Sequence, residues 1–228
     1  MSNRTLVITG GGGILGQAVA KAAKASGATV VLVDVADLAG RDDLHGDILK
    51  GGVDLTDAEA TRTAFQAIAG ETGGIDVLLN IAGGFCWQTV EEGDLDEWDR
   101  MYKMNTRTAA TACKAALPFL KASANGRIVN VGAAGAVKAD GGMGAYAASK
   151  AGVMRLTESL AEELKDGTVT VNAVLPSIID TPTNREDMPD ADFDAWVSPD
   201  DLAAVMLFLA SPEARAVTGA LVPVTGKV

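Results

Sequence analysis

The amino-acid sequence predicts an α/β fold in which a doubly wound parallel sheet of about seven strands carries helices on both faces. Short β-branched runs recur along the chain with helix-spaced stretches between them. The first of these runs opens directly into a cluster of four glycines. Aromatic residues make up only 4% of the chain while Gly and Ala abound, a composition suited to close packing of helices on a parallel sheet.

In chain order, strands are expected at Thr5–Thr9, Thr29–Asp34, near Lys50–Val53, Asp76–Ile81, Arg127–Val131, Thr168–Leu175 and Leu221–Val224. An Ala-rich helix should start at Gln17. Thr56 with Glu59, and Asp94 with Glu97, have the spacing of capping boxes at the starts of two further helices. Ser198-Pro199 puts a cap before a proline at the first turn of the last helix, where Leu202, Val205, Met206 and Leu209 form one apolar stripe directed at the core. No repeat, low-complexity tract or Pro/Ser linker interrupts the series. Residues 1–228 are therefore read as a single domain.

With 19 basic and 30 acidic residues the 228-residue chain carries a net charge of −11, which argues against nucleic acid or an anionic membrane surface as a partner. The acid is concentrated in two runs, six carboxylates in Glu91–Asp99 and eight in Asp180–Asp201, read as solvated segments that a strongly anionic substrate would meet as a barrier. No apolar segment follows a basic start, and no uninterrupted apolar run approaches about 18 residues, so a soluble, cytoplasmic protein is expected. Cys86 and Cys113 are read as thiols in a reducing compartment. The single histidine, His45, lies in the polar stretch RDDLHGD and gives little support to a Ser–His–Asp triad or a metal site.

The glycine cluster carries the first chemistry. Gly10-Gly11-Gly12-Gly13-Ile14-Leu15-Gly16 joins a strand to a helix, the context in which absent side chains let a pyrophosphate approach the backbone and the helix start offers unpaired N–H groups. Two registers fit, GxGxxG on Gly11, Gly13 and Gly16, and GxxGxxG on Gly10, Gly13 and Gly16. Asp34 ends the second strand 18 residues after Gly16, where a carboxylate accepts hydrogen bonds from ribose hydroxyls and repels a 2′-phosphate; NAD(H) is expected over NADP(H).

The second chemistry is a Tyr146–Lys150 pair at i and i+4, which a helix would place on one face. A nearby ammonium favours phenolate, so Lys150 is expected to lower the Tyr146 pKa.

Taken with Asn80-Ile81-Ala82-Gly83 and the Pro-led segment Pro176–Thr181, these motifs make the chain from Thr5 to Val228 resemble the short-chain dehydrogenase/reductase family, whose fold is Rossmann-like. That resemblance implies roles: Tyr146 as proton donor or acceptor, Lys150 as its partner and ligand of the nicotinamide ribose, and Asn105 as holder of a water in a proton relay. It further implies that Asp54 and Leu55 flank the adenine, that Asn80, Ala82 and Gly83 stand behind the cofactor, that Pro176 is among its binding residues, that Ile178 and Thr181 contact the nicotinamide amide, and that a short lid at about 176–198 covers the substrate. A homodimer or homotetramer built on the helices near Leu95–Ala122 and Ala145–Lys165 is also implied.

One family residue is missing. The Ser usually found 13 positions before the Tyr, whose hydroxyl polarises the substrate carbonyl, is Ala133 here. Dihydropteridine reductases, a branch of the family, resemble this chain in having Ala at that position, in GGGGILG and in the lid segment at 175–196. Their electron-poor quinonoid substrate implies a neutral planar acceptor reduced by NADH. A small ketone, alcohol or quinone is the alternative, and a non-catalytic NAD(H)-binding module a further one. Trp87, Met188, Phe193 and Trp196 are candidates either to stack on a planar substrate or to pack the lid, and Arg185 either to meet a substrate group or to pair with Glu186 or Asp187.

Overall fold

Every residue of the run TLVIT is buried, and in the computed structural model, which describes all 228 residues, it forms β1 (Thr5–Thr9). The other strands are β2 (Thr29–Val33), β3 (Ile48–Lys50), β4 (Val77–Asn80), β5 (Arg127–Val131), β6 (Thr170–Pro176) and β7 (Leu221–Val224). All seven are parallel, in the order β3-β2-β1-β4-β5-β6-β7. Alternation along each strand divides the core in two. Leu6, Ile8, Val30 and Leu32 face one side, against α1 (Ile14–Ala25) and α7 (Pro199–Ala210). Val7, Val31, Leu78 and Ile128 face the other, against α2 (Ala58–Thr72), α4 (Thr108–Ala122) and α5 (Gly144–Glu163). Both faces are covered, which is why the strands read as nearly continuous apolar runs. Two short helices, α3 (Asp96–Met101) and α6 (Pro182–Asp187), lie in the connections that follow β4 and β6.

The start signals resolve unevenly. Ser198 caps α7 as expected, accepting from the Asp201 N–H at 3.0 Å, and Leu202, Met206 and Leu209 are buried. The cap of α2 is Asp57 rather than Thr56: its carboxylate accepts from Glu59 and Ala60, and the Thr56 hydroxyl donates instead to Asp54. Asp94 accepts from Asp96 N, and Glu97 turns to Arg100, so that segment is a turn and an ion pair rather than a capping box. The third strand lies earlier than the sequence suggests, at Ile48–Lys50, because Gly51-Gly52 ends the ladder, Gly52 having φ +70°. Neither cysteine is in a disulfide.

The fold places its crevice by topology. Chain connections leave β1 and β4 toward opposite faces of the sheet, which opens a cleft at their C-terminal ends. At the opposite, N-terminal ends of β1 and β5 stand two buried arginines: Arg4 Nη1 donates to Ala210 O at 2.6 Å and Arg127 Nε to Ser211 O at 3.2 Å, satisfying carbonyls at the C-terminal end of α7.

Candidate active site

At the end of β1 the chain turns through Gly10, whose φ of +65° and whose approach to Ala82, 2.9 Å from where a Cβ would stand, admit only glycine. A Cβ on Gly11 would lie 2.7 Å from the Leu32 side chain, and one on Gly16 would overlap the Gly10 carbonyl oxygen. Gly13 has more room, its added Cβ standing 3.4 Å from that oxygen. Gly13 is the N-cap of α1 and makes no side-chain bond to it, so the helix start is open to an anion. The Thr9 hydroxyl accepts from the Ile81 and Ala82 N–H groups at 3.1 and 3.2 Å, fixing the β4 turn opposite the glycine loop.

Between these turns lies a cleft of about 690 Å³. Its walls include Gly10, Gly13, Ile14, Leu15 and Gly16 at the phosphate end, Asp34, Asp54 and Leu55 at the outer end, and Ala82, Gly83 and Thr181 further along. Asp34 Oδ2 accepts from Gly12 N at 3.0 Å and Oδ1 from Ala36 N at 3.0 Å, so the carboxylate is oriented by both neighbouring loops. The Thr56 amide and hydroxyl hold the Asp54 carboxyl below the usual carboxylate range. Asn80 is buried behind the wall, donating to Asn130 Oδ1 at 2.8 Å, and Pro176 and Ile178 also stand outside the cleft lining. Arg100, Lys103, Met104, Thr108 and Thr183 line it as well, with no motif in the sequence to mark them.

Tyr146 and Lys150 share α5, with Lys150 buried and Tyr146 half-buried. The Lys150 ammonium donates to Val131 O at 2.9 Å. Burial lowers its pKa to about 8. The Tyr146 phenol is pushed up by burial to about 12, which corrects the expectation of a lowered value. The physical reason is desolvation: the ring stands edge-on to Phe85, centroids 4.9 Å apart, and burial alone accounts for the shift.

Asn105 lies in a π-helical segment, Tyr102–Arg107, that joins α3 to α4. The wider turn is the kind of irregularity often seen at functional sites. Its Nδ2 donates to Gly84 O at 3.0 Å and to Ser149 Oγ at 2.9 Å, while its Oδ1 accepts from Gly84 N at 2.9 Å. A Cβ on Gly83 would lie 2.5 Å from Asn105 Oδ1 and 3.3 Å from Lys150 Nζ, so α5, the π-helical segment and the β4 turn converge there. Ser149, which sequence reasoning passed over, ties α5 to Asn105. Its signal was only its position beside Lys150.

Ala133 is buried at the end of β5 and offers no side-chain donor. The segment at 176–198, where a lid is expected, is anchored by Asp180 N donating to Val197 O at 2.8 Å and Val197 N donating to Ile178 O at 3.0 Å. Arg185 pairs with Asp180 at 2.6 Å, not with Glu186 or Asp187, and its guanidinium stands 4.5 Å from the Phe193 ring centroid. Phe193 in turn packs on Trp196.

The cradle fits a dinucleotide: glycines where a Cβ would collide, an open helix start, and a carboxylate at the far end. A family model described as short chain dehydrogenase matches residues 4–192. Meso-2,3-butanediol dehydrogenase of Serratia marcescens is 35% identical, over 98% of this chain and 94% of that protein. A 3-oxoacyl-(acyl-carrier-protein) reductase of Vibrio cholerae is 30% identical, over 99% and 97%. Among solved structures, carveol dehydrogenase from Mycobacterium avium in complex with NAD superposes with a TM-score of 0.89 at 27% identity, covering 99% of this chain and 97% of that one. The 3-ketoacyl-(acyl-carrier-protein) reductase of Brucella melitensis complexed with NADH gives 0.87 at 29%, covering 100% and 99%. With its motifs set on this scaffold and its relatives matched over nearly their whole length, the chain belongs to the short-chain dehydrogenase/reductase family of NAD(P)-dependent oxidoreductases.

Proposed function

We propose that the protein is an NADH-dependent reductase of a neutral, planar, electron-poor acceptor, of which a quinonoid dihydropteridine is the type. The observation that carries this reading is the pairing of Tyr146 with Ala133: the proton-donating side chain is present and the carbonyl-polarising hydroxyl is not. Losing one such donor typically costs an ordinary ketone about 2.7–4 kcal/mol in barrier. A quinonoid acceptor already takes electron density readily and needs only a proton.

The Gly10–Gly16 loop would hold the pyrophosphate of NADH and Asp34 would orient its adenosine ribose through the hydroxyls; bound there, the cofactor would supply the hydride. A Tyr146 phenol with a pKa of about 12 is fully protonated at neutral pH, so it enters reduction as an acid. It gives its proton to the acceptor atom that gains charge. Lys150, its pKa about 8, is mostly charged at pH 7 and steadies the phenolate left behind. Asn105 holds the Gly83–Gly84 turn against both. The lid at 176–198 covers the acceptor, and its carboxylates disfavour anionic substrates. Association into a homodimer or homotetramer through α4 and α5 belongs to the same reading.

A second reading, a reductase or dehydrogenase for a small ketone or alcohol, is favoured by the 35% identity to meso-2,3-butanediol dehydrogenase. A screen of NADH oxidation with quinonoid dihydropterin, ortho-quinones and small diketones separates the two. The proposal expects the planar acceptors to be reduced at least about tenfold more efficiently; the reverse order overturns it.

A further inference from the structure

One wall of the cleft carries positive charge that none of the sequence motifs marks. The glycine loop leads into α1 and the π-helical segment Tyr102–Arg107 into α4, helices on opposite faces of the sheet, so the two segments wall the cleft from different sides. Met101 and Asn105 are buried on the inner side of the helix that runs through this segment, and Thr106 Oγ1 donates to Ser149 O at 2.7 Å. Arg100, Lys103 and Arg107, three and four residues apart, share an exposed side. Arg100 and Lys103 line the cleft, and Arg107 Nε donates at 2.9 Å to the carbonyl of Thr56, which lines it too.

These three cations are not equivalent. Arg100 is committed to Glu97, its Nε and Nη2 donating to that carboxylate at 2.8 and 2.7 Å. Arg107 is turned to the Thr56 backbone. Lys103 takes part in none of the ion pairs of the structure. The carboxylates in the cleft lining, Asp34 and Asp54, accept from backbone N–H groups instead. A dinucleotide must bring its doubly charged pyrophosphate past both of them, into a molecule of net charge −11. The open start of α1 answers with a partial charge only, about half a unit. A whole positive charge on the facing wall adds a charge-assisted partner and a field that draws the anion in.

We infer that Lys103 is a positioning residue for the dinucleotide, its ammonium pairing with a phosphate from the wall that faces the glycine loop. The inference rests on the reading of this cleft as the NADH site and deepens it by adding a residue outside the glycine loop and the Tyr–Lys pair. It makes capture of the cofactor dependent on ionic strength.

Binding separates this role from a structural one, because Lys103 stands two residues from Asn105 and a disturbed turn would weaken every ligand of the cleft. Wild type, Lys103→Gln and Lys103→Arg are titrated calorimetrically with NADH, ADP and adenosine, and NADH association is followed by stopped-flow fluorescence at about 20 mM and about 0.3 M salt. Lys103→Gln should weaken NADH and ADP by about five- to tenfold and leave adenosine, which has no phosphate, within about twofold. Lys103→Arg should keep all three within about threefold of wild type. Association with wild type should slow more at the higher salt than association with Lys103→Gln. Equal losses for ADP and adenosine, or NADH binding that Lys103→Gln leaves unchanged, overturn the inference while leaving the NADH site in place. Wild type that binds neither NADH nor ADP would sink the reading of the cleft, and the inference with it.

Discussion

Asn105 and Gly84 exchange two hydrogen bonds, Nδ2 donating to the glycine carbonyl at 3.0 Å and the glycine N–H donating to Oδ1 at 2.9 Å. A third bond to Ser149 leaves only one lone pair on Oδ1 for any water. The side chain therefore acts first on the position of the β4 turn, and through it on the space around Lys150 and Phe85. Asn105→Ala strands the Gly84 N–H and C=O and should destabilise the protein by about 2–3 kcal/mol. Urea denaturation of the two proteins measures this; a loss under about 0.5 kcal/mol would mean that the turn is held elsewhere.

Asp34 should set the cofactor preference. Removing the two charge-assisted bonds it can offer a ribose, as in Asp34→Ala, is expected to raise KM for NADH about 10- to 100-fold and KM for NADPH much less. Steady-state kinetics with both coenzymes decide it. Equal losses for the two would assign Asp34 only to the loops it already braces through Gly12 and Ala36.

Lys150 gives a pH signature. Burial depresses its folded pKa to about 8, below the model-peptide value of about 10.4, so the unfolded chain binds more protons between these limits. Its burial therefore costs stability below pH 8, and that cost is relieved as pH rises from 8 toward 10. The stability of wild type relative to Lys150→Met should improve by about 2 kcal/mol between pH 7.5 and 10. The same titration predicts that kcat/KM for NADH, which reports the free enzyme, falls above about pH 8. A profile flat to pH 9.5 would show that the charge on Lys150 is dispensable.

Ala133→Ser restores a hydroxyl near the acceptor. The expected gain in kcat/KM for a small ketone is about 10- to 100-fold, with little change for an ortho-quinone. A gain of the same size for both acceptors would show that the missing hydroxyl does not select the substrate.

The parts of this architecture set by local patterning were legible in the sequence. The buried strands, the Gly10–Gly16 loop and the Ser198 cap are each encoded within a few residues of one another. The third strand slipped by two to three positions because Gly51-Gly52 ends a ladder whose partner, Val31–Val33, is remote in sequence. The α2 cap is Asp57 because the Thr56 N–H and hydroxyl are both taken by Asp54, and the Glu59 and Ala60 N–H groups donate to Asp57. Placement was legible where residues carry a motif: Tyr146 and Lys150 share one helix, as their spacing predicts, and Asp34 lines the cleft. It was not where a role arises from tertiary contact: the Thr9 bonds to the β4 turn, the Ser149 tie, the Phe85 ring against Tyr146. The direction of the Tyr146 shift was also beyond spacing, since it depends on how much water the fold removes.

Tyr146→Phe bears most directly on the account that Tyr146 is the acid of an NADH-dependent reduction. Removing only the hydroxyl should cut kcat with the best planar acceptor by about 10²–10⁴-fold, the usual worth of a positioned acid, while the Kd for NADH measured by fluorescence stays within about threefold. A Tyr146→Phe protein that turns over at the wild-type rate would contradict it.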